Sequence, residues 1–194
     1  SRAEPRGRAD VGLGLGLGYI DLPPPLPAIH AAVRNLDVDA LRRALAAGAN
    51  VDALDESGRT PLYVACHANP PRSMVTMEPP MWREKVRERE AIVAALLRAG
   101  ANVDARGDET PLKAAVWDRT YGQRCPPSDV VSMLIAAGAD IEATANGFFV
   151  LYTAAQSGSA NTVSRLLAAG ADPHRRSSND HALTALHGAT LTCN

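Results

Sequence analysis

The chain has 194 residues and a formal net charge of −1, and its 46% hydrophobic and 21% charged residues are the balance of a globular protein. The small net charge argues against a protein that binds nucleic acid or an anionic membrane through an overall basic excess. Aromatic residues make up only 4%, so the core must be built from Ala, Leu, Val and Ile, which favours closely packed helices.

Three cysteines, Cys66, Cys125 and Cys193, lie far apart with no C-x-x-C pair. This spacing predicts neither a disulfide framework nor a zinc site, and it suits a reducing compartment such as the cytoplasm or nucleus.

No apolar run approaches the roughly 18 residues of a membrane helix, so no membrane association is expected. The first residues hold no hydrophobic signal segment and begin with Ser, so we expect a piece of a longer protein.

Residues 1–26 are predicted to form a disordered tail rich in glycine and proline. The stretch "GLGLGLG" at 12–18 resembles a phosphate-binding loop, but that mechanism needs a strand before it and a helix after it. Prolines follow instead, so a linker is the better interpretation. The prolines of "PPPLP" at 23–27 are either a ligand for a polyproline-binding domain or an extended leader.

From residue 27 onward, two phrases alternate along the chain. The first begins at Pro27, Arg59, Glu109, Phe149 and Thr184, and reads "PAIHAAVRN", "RTPLYVACH", "ETPLKAAVW", "FVLYTAAQS" and "TALHGAT". The second reads "ALAAGANVDA", "LLRAGANVDA", "LIAAGADIEA" and "LLAAGADPHR" at 44–53, 96–105, 134–143 and 166–175. A catalytic motif normally occurs once in a chain, so a repeated sequence pattern indicates a repeated structural unit.

Each phrase has a local physical meaning. Thr60 and Thr110 are predicted N-caps, and Pro61 and Pro111 follow at the first helical position, where a missing N–H costs nothing. The second phrase predicts a leucine-rich helix that ends at a glycine in the left-handed conformation. These glycines are Gly48, Gly100, Gly138 and Gly170.

The two phrases together resemble the ankyrin repeat, a unit of about 33 residues with a β-turn, two helices and a T-P-L-H-x-A signature. The resemblance covers residues 27–194 and implies an all-α ankyrin-repeat solenoid with four complete repeats and one partial repeat. In the family the histidine of the signature bonds to backbone between repeats, which implies a structural role for His30 and His187. A single repeat cannot bury its own apolar face, so the units must stack.

Two insertions interrupt the regular spacing, near 70–88 and near 120–126, both in the turn between the two helices of a repeat. The first holds three of the four methionines and Trp82, which either form a second binding surface or pack onto their own repeat. The text from Met81 onward is helical in pattern, so the outer helix should start early. The alternating charges of "REKVRERE" are typical of a solvated helix face.

The fourth unit departs from the signature at its start. Phe149 stands at the N-cap threonine position and Val150 at the proline position. We expect Phe149 to pack inward in place of the lost cap. Phe148 then points elsewhere, and aromatic residues are enriched in interfaces, so it is a candidate for partner binding.

The resemblance implies that finger tips and outward residues of the first helices line a concave face that binds partner proteins. The candidate binding residues are Arg59, His67, Arg106, Glu109, Trp117, Asp118, Phe148 and Gln156, with Trp82 on the first insertion. Nothing indicates chemistry: no nucleophile, zincin or Walker motif is present, and His174 and His181 lack partners at a metal spacing. No catalytic residue, metal or cofactor is therefore expected.

These observations predict a protein-binding module, part of an adaptor or regulatory scaffold without catalysis. Two alternatives stay open: the non-catalytic targeting portion of a larger enzyme, such as a ubiquitin-ligase adaptor or a kinase, and a structural spacer. We expect a monomer, with possible self-association at the uncapped C-terminal end, because terminal repeats need a polar outer face.

Overall fold

The computed structural model describes residues 28–67, 79–105, 109–117, 129–178 and 182–190, without the side chains of 79–82. The predictions for the tail, for the 120–126 insertion, and for Arg106 and Asp118 lie outside the described residues. Of the helices that are described, none combines the length and apolar character needed to span a membrane.

Nine helices and two short strands make up the described part of the chain. In order they are α1 Ala28–Arg34, α2 Val38–Ala46, α3 Pro61–Cys66, α4 Pro79–Arg98, α5 Pro111–Val116, α6 Val130–Ala136, β1 Thr144–Ala145, β2 Phe148–Phe149, α7 Val150–Ser157, α8 Ala160–Ala168 and α9 Ala185–Thr190. Helices α1, α3, α5, α7 and α9 are the inner helices, and α2, α4, α6 and α8 are the outer helices. This order is that of an all-α ankyrin solenoid, and the number of repeats stays a prediction.

The inner helices begin as their sequences predict. The Thr60 hydroxyl accepts from the Tyr63 backbone N–H at 3.3 Å, and the Thr110 hydroxyl accepts from Lys113 N–H at 3.4 Å. Helix α7 follows Phe149, which makes no side-chain cap bond and is buried in the core. The prediction that Phe149 packs inward is therefore confirmed.

The outer helices end at glycines with positive φ. At Gly100, with φ of 83°, the glycine N–H bonds to Leu97 O at 3.1 Å and the next N–H, of Ala101, bonds to Leu96 O at 3.0 Å. These two bonds are the Schellman ending of a helix, which needs the left-handed conformation that glycine adopts without strain. The same bonds end α2, α6 and α8 at the other three predicted glycines.

The core runs continuously through the stack. Inner helices contact inner helices in the order α1, α3, α5, α7, α9, and α2, α4 and α6 contact one another in chain order. Leu62, Leu112 and Leu151 hold the same position on successive inner helices, and all are buried. Each unit therefore buries its apolar face against its neighbour, as a solenoid requires.

A ladder of carboxylates connects the turns that follow the outer helices. In each rung a side-chain oxygen accepts from a backbone N–H of the next unit: Asp52 from Asn102 at 3.0 Å, Asp104 from Asp140 at 3.0 Å, and Glu142 from Asp172 at 2.9 Å. The equivalent position in the last described turn holds His174. The ladder of carboxylates thus covers three successive junctions.

Helix α4 corrects one prediction and confirms another. It begins at Pro79, so the outer helix does start early, and residues 79–88 of the first insertion are helical. The face of "REKVRERE" is not fully solvated, because Arg89 is buried. Its Nε donates to Ala65 O at 2.8 Å, and its Nη2 donates to Cys66 O. Arg89 therefore caps the carbonyl end of α3, where a cation is favoured by the helix dipole.

The last inner helix, α9, packs closely on α7 at Gly188. A Cβ on this residue would lie 2.9 Å from the backbone oxygen of Tyr152. We expect Gly188→Ala to lower the free energy of unfolding by about 1–3 kcal/mol, the usual cost of overpacking. Urea denaturation followed by circular dichroism measures it. Glycine to alanine on an open helix surface stabilises by about 1 kcal/mol, so unchanged or increased stability would contradict this close packing.

Candidate partner-binding surface

The predicted binding residues fall into two rows of equivalent positions. The residue before the N-cap position of an inner helix is Arg59, Glu109 or Phe148, and we call these three the finger row. The residue seven places after the N-cap position is His67, Trp117 or Gln156, and we call these three the helix-end row. Because successive inner helices are in contact, equal positions lie next to one another along the stack.

The finger-row side chains are engaged within the molecule. Glu109 lies 3.4 Å from the ammonium of Lys113, and the Phe148 ring stacks on Tyr152 with 4.5 Å between centroids. Arg59 bonds to the carboxylate of Asp55 through both Nε and Nη2. These contacts orient the finger row and leave it partly buried.

The histidine position of the signature reaches the next finger, as predicted for His30. Its Nε2 lies 2.9 Å from Arg59 O, across the first repeat junction. Lys113 holds the same position in the third unit and donates from Nζ to Ala145 O at 2.5 Å. His187 also has a structural bond to backbone, but within its own turn and not between repeats: its Nδ1 accepts from Thr184 N–H at 3.1 Å. His187 therefore caps the start of its own helix, α9.

The helix-end row is more open. His67 and Trp117 are exposed, and Gln156 is half-buried. Trp117 has 43% of its surface accessible. The backbone N–H of Trp117 donates to Lys113 O at 3.0 Å, so the backbone of this residue is held at the helix end. The His67 ring stacks on Tyr63, with 5.4 Å between ring centroids. An exposed tryptophan on an ordered backbone is the usual form of a binding anchor.

A buried carboxylate organises the first end of the two rows. Asp55 Oδ1 accepts from the backbone N–H groups of Ser57 at 2.9 Å and Arg59 at 3.0 Å, and Oδ2 accepts from Arg34 and Arg59 side chains, each at 2.9 Å. Burial by itself disfavours the charge, but the hydrogen bonds from Arg59 and Ser57 outweigh it. The pKa of Asp55 is therefore held well below its ordinary value, and the residue is ionised at every physiological pH.

The described groups offer little for covalent chemistry. Burial raises the pKa of the Cys66 thiol to about 12, although nearby Arg89 opposes the shift, so this thiol is neutral and inaccessible. Within the ranges that the structure describes, no group of three or more His, Cys, Asp or Glu side chains could hold a metal ion.

Comparison with protein families supports the assignment of these units to the ankyrin repeat. A family model described as ankyrin repeats (many copies) matches residues 29–77, and one described as ankyrin repeat matches residues 146–178. The first match covers α1 to α3, and the second covers β2, α7 and α8. Both matched segments of the chain are therefore ankyrin repeats. Ankyrin repeats are in general non-catalytic modules that bind other proteins. Comparison with curated proteins found no match.

Sequence reasoning missed two members of this surface, Arg34 and Asp55. Arg34 is seven residues after Pro27, the same offset that separates His67 from Thr60, so equal spacing along the repeats could have identified it. Asp55 carries a weaker signal, because aspartate is common in turns whether or not its side chain is buried. Trp82 lies on α4, but its side chain is outside the description, and its role stays a prediction.

Proposed function

We propose that this chain is a protein-binding module that holds a partner along the helix-end row, with Trp117 as the anchor. Such a module would serve as part of an adaptor or regulatory protein in a reducing compartment, the cytoplasm or the nucleus. The observation that carries the proposal is the exposure of Trp117 on a helix end that is fixed on both sides by neighbouring inner helices.

Energetics favour this anchor over the other candidates. Tryptophan is among the residues that most often contribute 2 kcal/mol or more to a protein interface. The backbone of Trp117 is already ordered, so binding does not carry the cost of ordering it. Arg59, Glu109 and Phe148 are already held by contacts within the chain, so they shape the surface around the anchor.

A capture experiment with a matched control tests the proposal. Leu167, on the outer helix α8, is exposed to 42%, against 43% for Trp117. The wild type, Trp117→Ala and Leu167→Ala would be immobilised and incubated with cell lysate, and bound proteins quantified by mass spectrometry. We expect at least one bound protein to fall tenfold or more with Trp117→Ala, and to persist with Leu167→Ala, since a lost anchor costs about 2 kcal/mol. Bound proteins that survive Trp117→Ala and are lost from Leu167→Ala would place binding on the outer helices and refute the proposal.

A further inference from the structure

We propose that the partner segment is acidic at one end, and that a carboxylate of this segment binds between Arg34 and Arg59. This inference rests on the proposed function and adds a class of partner and a direction to it. Its elements are two arginines from different repeats, Arg34 at the end of α1 and Arg59 of the finger row, held by one buried carboxylate.

The geometry makes the two guanidinium groups neighbours. Both donate to the same oxygen, Asp55 Oδ2, and each N···O distance is 2.9 Å. Two atoms bonded to one oxygen at these distances lie within about 6 Å of each other, which is close enough for one carboxylate to contact both groups. Asp55 thus acts as the orienting residue, and its own side chain is only 1% exposed.

The two arginines keep donors that Asp55 does not use. Arg34 donates to Asp55 through Nη2 alone, and its side chain is 41% exposed. Arg59 uses Nε and Nη2, and its side chain is 28% exposed. A guanidinium carries five N–H groups, so several point elsewhere, and Nη1 of each arginine has no hydrogen-bond partner among the described residues.

The local charge favours an anion. Because hydrogen bonds keep Asp55 ionised, the cluster of Arg34, Arg59 and Asp55 carries a net charge of +1. Next along the rows, Glu109 is already paired with Lys113. The carboxylate of Glu56, exposed on the same finger, opposes an acidic ligand, so its removal should strengthen binding slightly.

The position of this cluster gives the partner a direction. Arg34 ends α1, Arg59 precedes α3 and Trp117 follows α5, so the cluster lies between one and two inner-helix spacings from Trp117 along the stack. Packed helices lie about 8–10 Å apart, so the separation along the stack is about 8–20 Å. An extended chain advances about 3.3 Å per residue, so the acidic residue and the apolar residue over Trp117 are about three to six positions apart.

Peptide display on the full chain tests this spacing. A random twelve-residue library would be selected on the immobilised protein, and the enriched peptides sequenced. We expect Asp or Glu about three to six positions from a large apolar residue. Enriched peptides without an acidic residue, or no enriched peptide at all, would overturn the inference.

Binding constants of one selected peptide then identify the arginine that it uses. We expect Arg34→Gln to weaken binding about tenfold, the usual effect of losing one charge-assisted contact. Arg42→Gln is the matched control, because Arg42 is an exposed arginine on α2 with one long ion pair to Asp39, 3.4 Å. Asp55 keeps Arg59 and two backbone donors without Arg34, so the variant should fold, and circular dichroism confirms it. Glu56→Gln should tighten binding by no more than about twofold.

The two proposals fail in different ways. Peptide binding that is lost with Trp117→Ala and unchanged with Arg34→Gln would overturn the acidic clamp and leave the proposed function standing. Binding that is lost with Arg34→Gln and unchanged with Trp117→Ala would support the clamp as an anion site and refute Trp117 as the anchor. Equal losses with Arg34→Gln and Arg42→Gln would reduce the effect to overall charge and overturn the clamp.

Discussion

Replacement of Arg89 by alanine is expected to lower the free energy of unfolding by about 3 kcal/mol, the range for removing a buried charged donor from its acceptors. Arg89 is buried between α3 and α4 and donates to the carbonyls of Ala65 and Cys66. Without it, these two carbonyls at the end of α3 are left in the interior, and a cavity replaces the side chain. Urea denaturation followed by circular dichroism measures the change.

The same helix supplies the control for this prediction. Arg87 is exposed and lies two residues earlier on α4, so Arg87→Ala removes the same side chain from the solvated face. We expect that change to stay within about 0.5 kcal/mol of wild type. Arg89→Lys keeps the charge but fewer donors, and it should fall between the two. Equal effects of Arg87→Ala and Arg89→Ala would show that the cap on α3 is not stabilising.

Replacement of Asp55 by alanine is expected to cost about 2–4 kcal/mol of unfolding free energy, because a buried charge partner is removed from a hydrogen-bonded cluster. Two backbone N–H groups of the finger, those of Ser57 and Arg59, lose their acceptor. The arginine side chains suffer less, since both reach solvent. Asp39→Ala is the control, because Asp39 is an exposed aspartate whose ion pair with Arg42 is a weak surface contact.

The effect of Asp55 should depend on pH in a defined direction. The folded pKa lies below the ordinary value of 3.8, so the ionised form is favoured by folding. Its contribution is complete above pH 3.8 and is lost progressively as the pH falls below that value toward the folded pKa. The stability difference between wild type and Asp55→Asn should therefore shrink between pH 4 and pH 2. A difference that is constant over this range would contradict the low pKa.

The parts of this fold that repeat could be predicted from the sequence. Thr60, Pro61 and Gly100 occupy positions where a single residue type satisfies a local backbone requirement, and each requirement recurs along the chain. The structure places these residues in the predicted conformations. Repetition also aligns His67, Trp117 and Gln156 on successive helix ends, which is why the helix-end row was foreseeable.

The parts that depend on one contact between distant residues could not be predicted in the same way. Arg89 sits in an alternating run of charges, and only the approach of α4 to the end of α3 buries it. Arg34 and Asp55 are 21 residues apart, and no spacing rule links an arginine at a helix end to a turn carboxylate. Periodicity identifies which face is apolar, but it does not identify which polar residue on that face receives a partner.

The claim that partners bind along the helix-end row is tested most directly by hydroxyl-radical footprinting of the chain, with and without a partner recovered by capture. Trp117 and Leu167 are both oxidisable and almost equally exposed, so each reports on its own side of the stack. We predict that the partner lowers oxidation of Trp117 severalfold and leaves Leu167 unchanged. Protection of Leu167 with Trp117 still fully oxidised would contradict this assignment and place the binding surface on the outer helices.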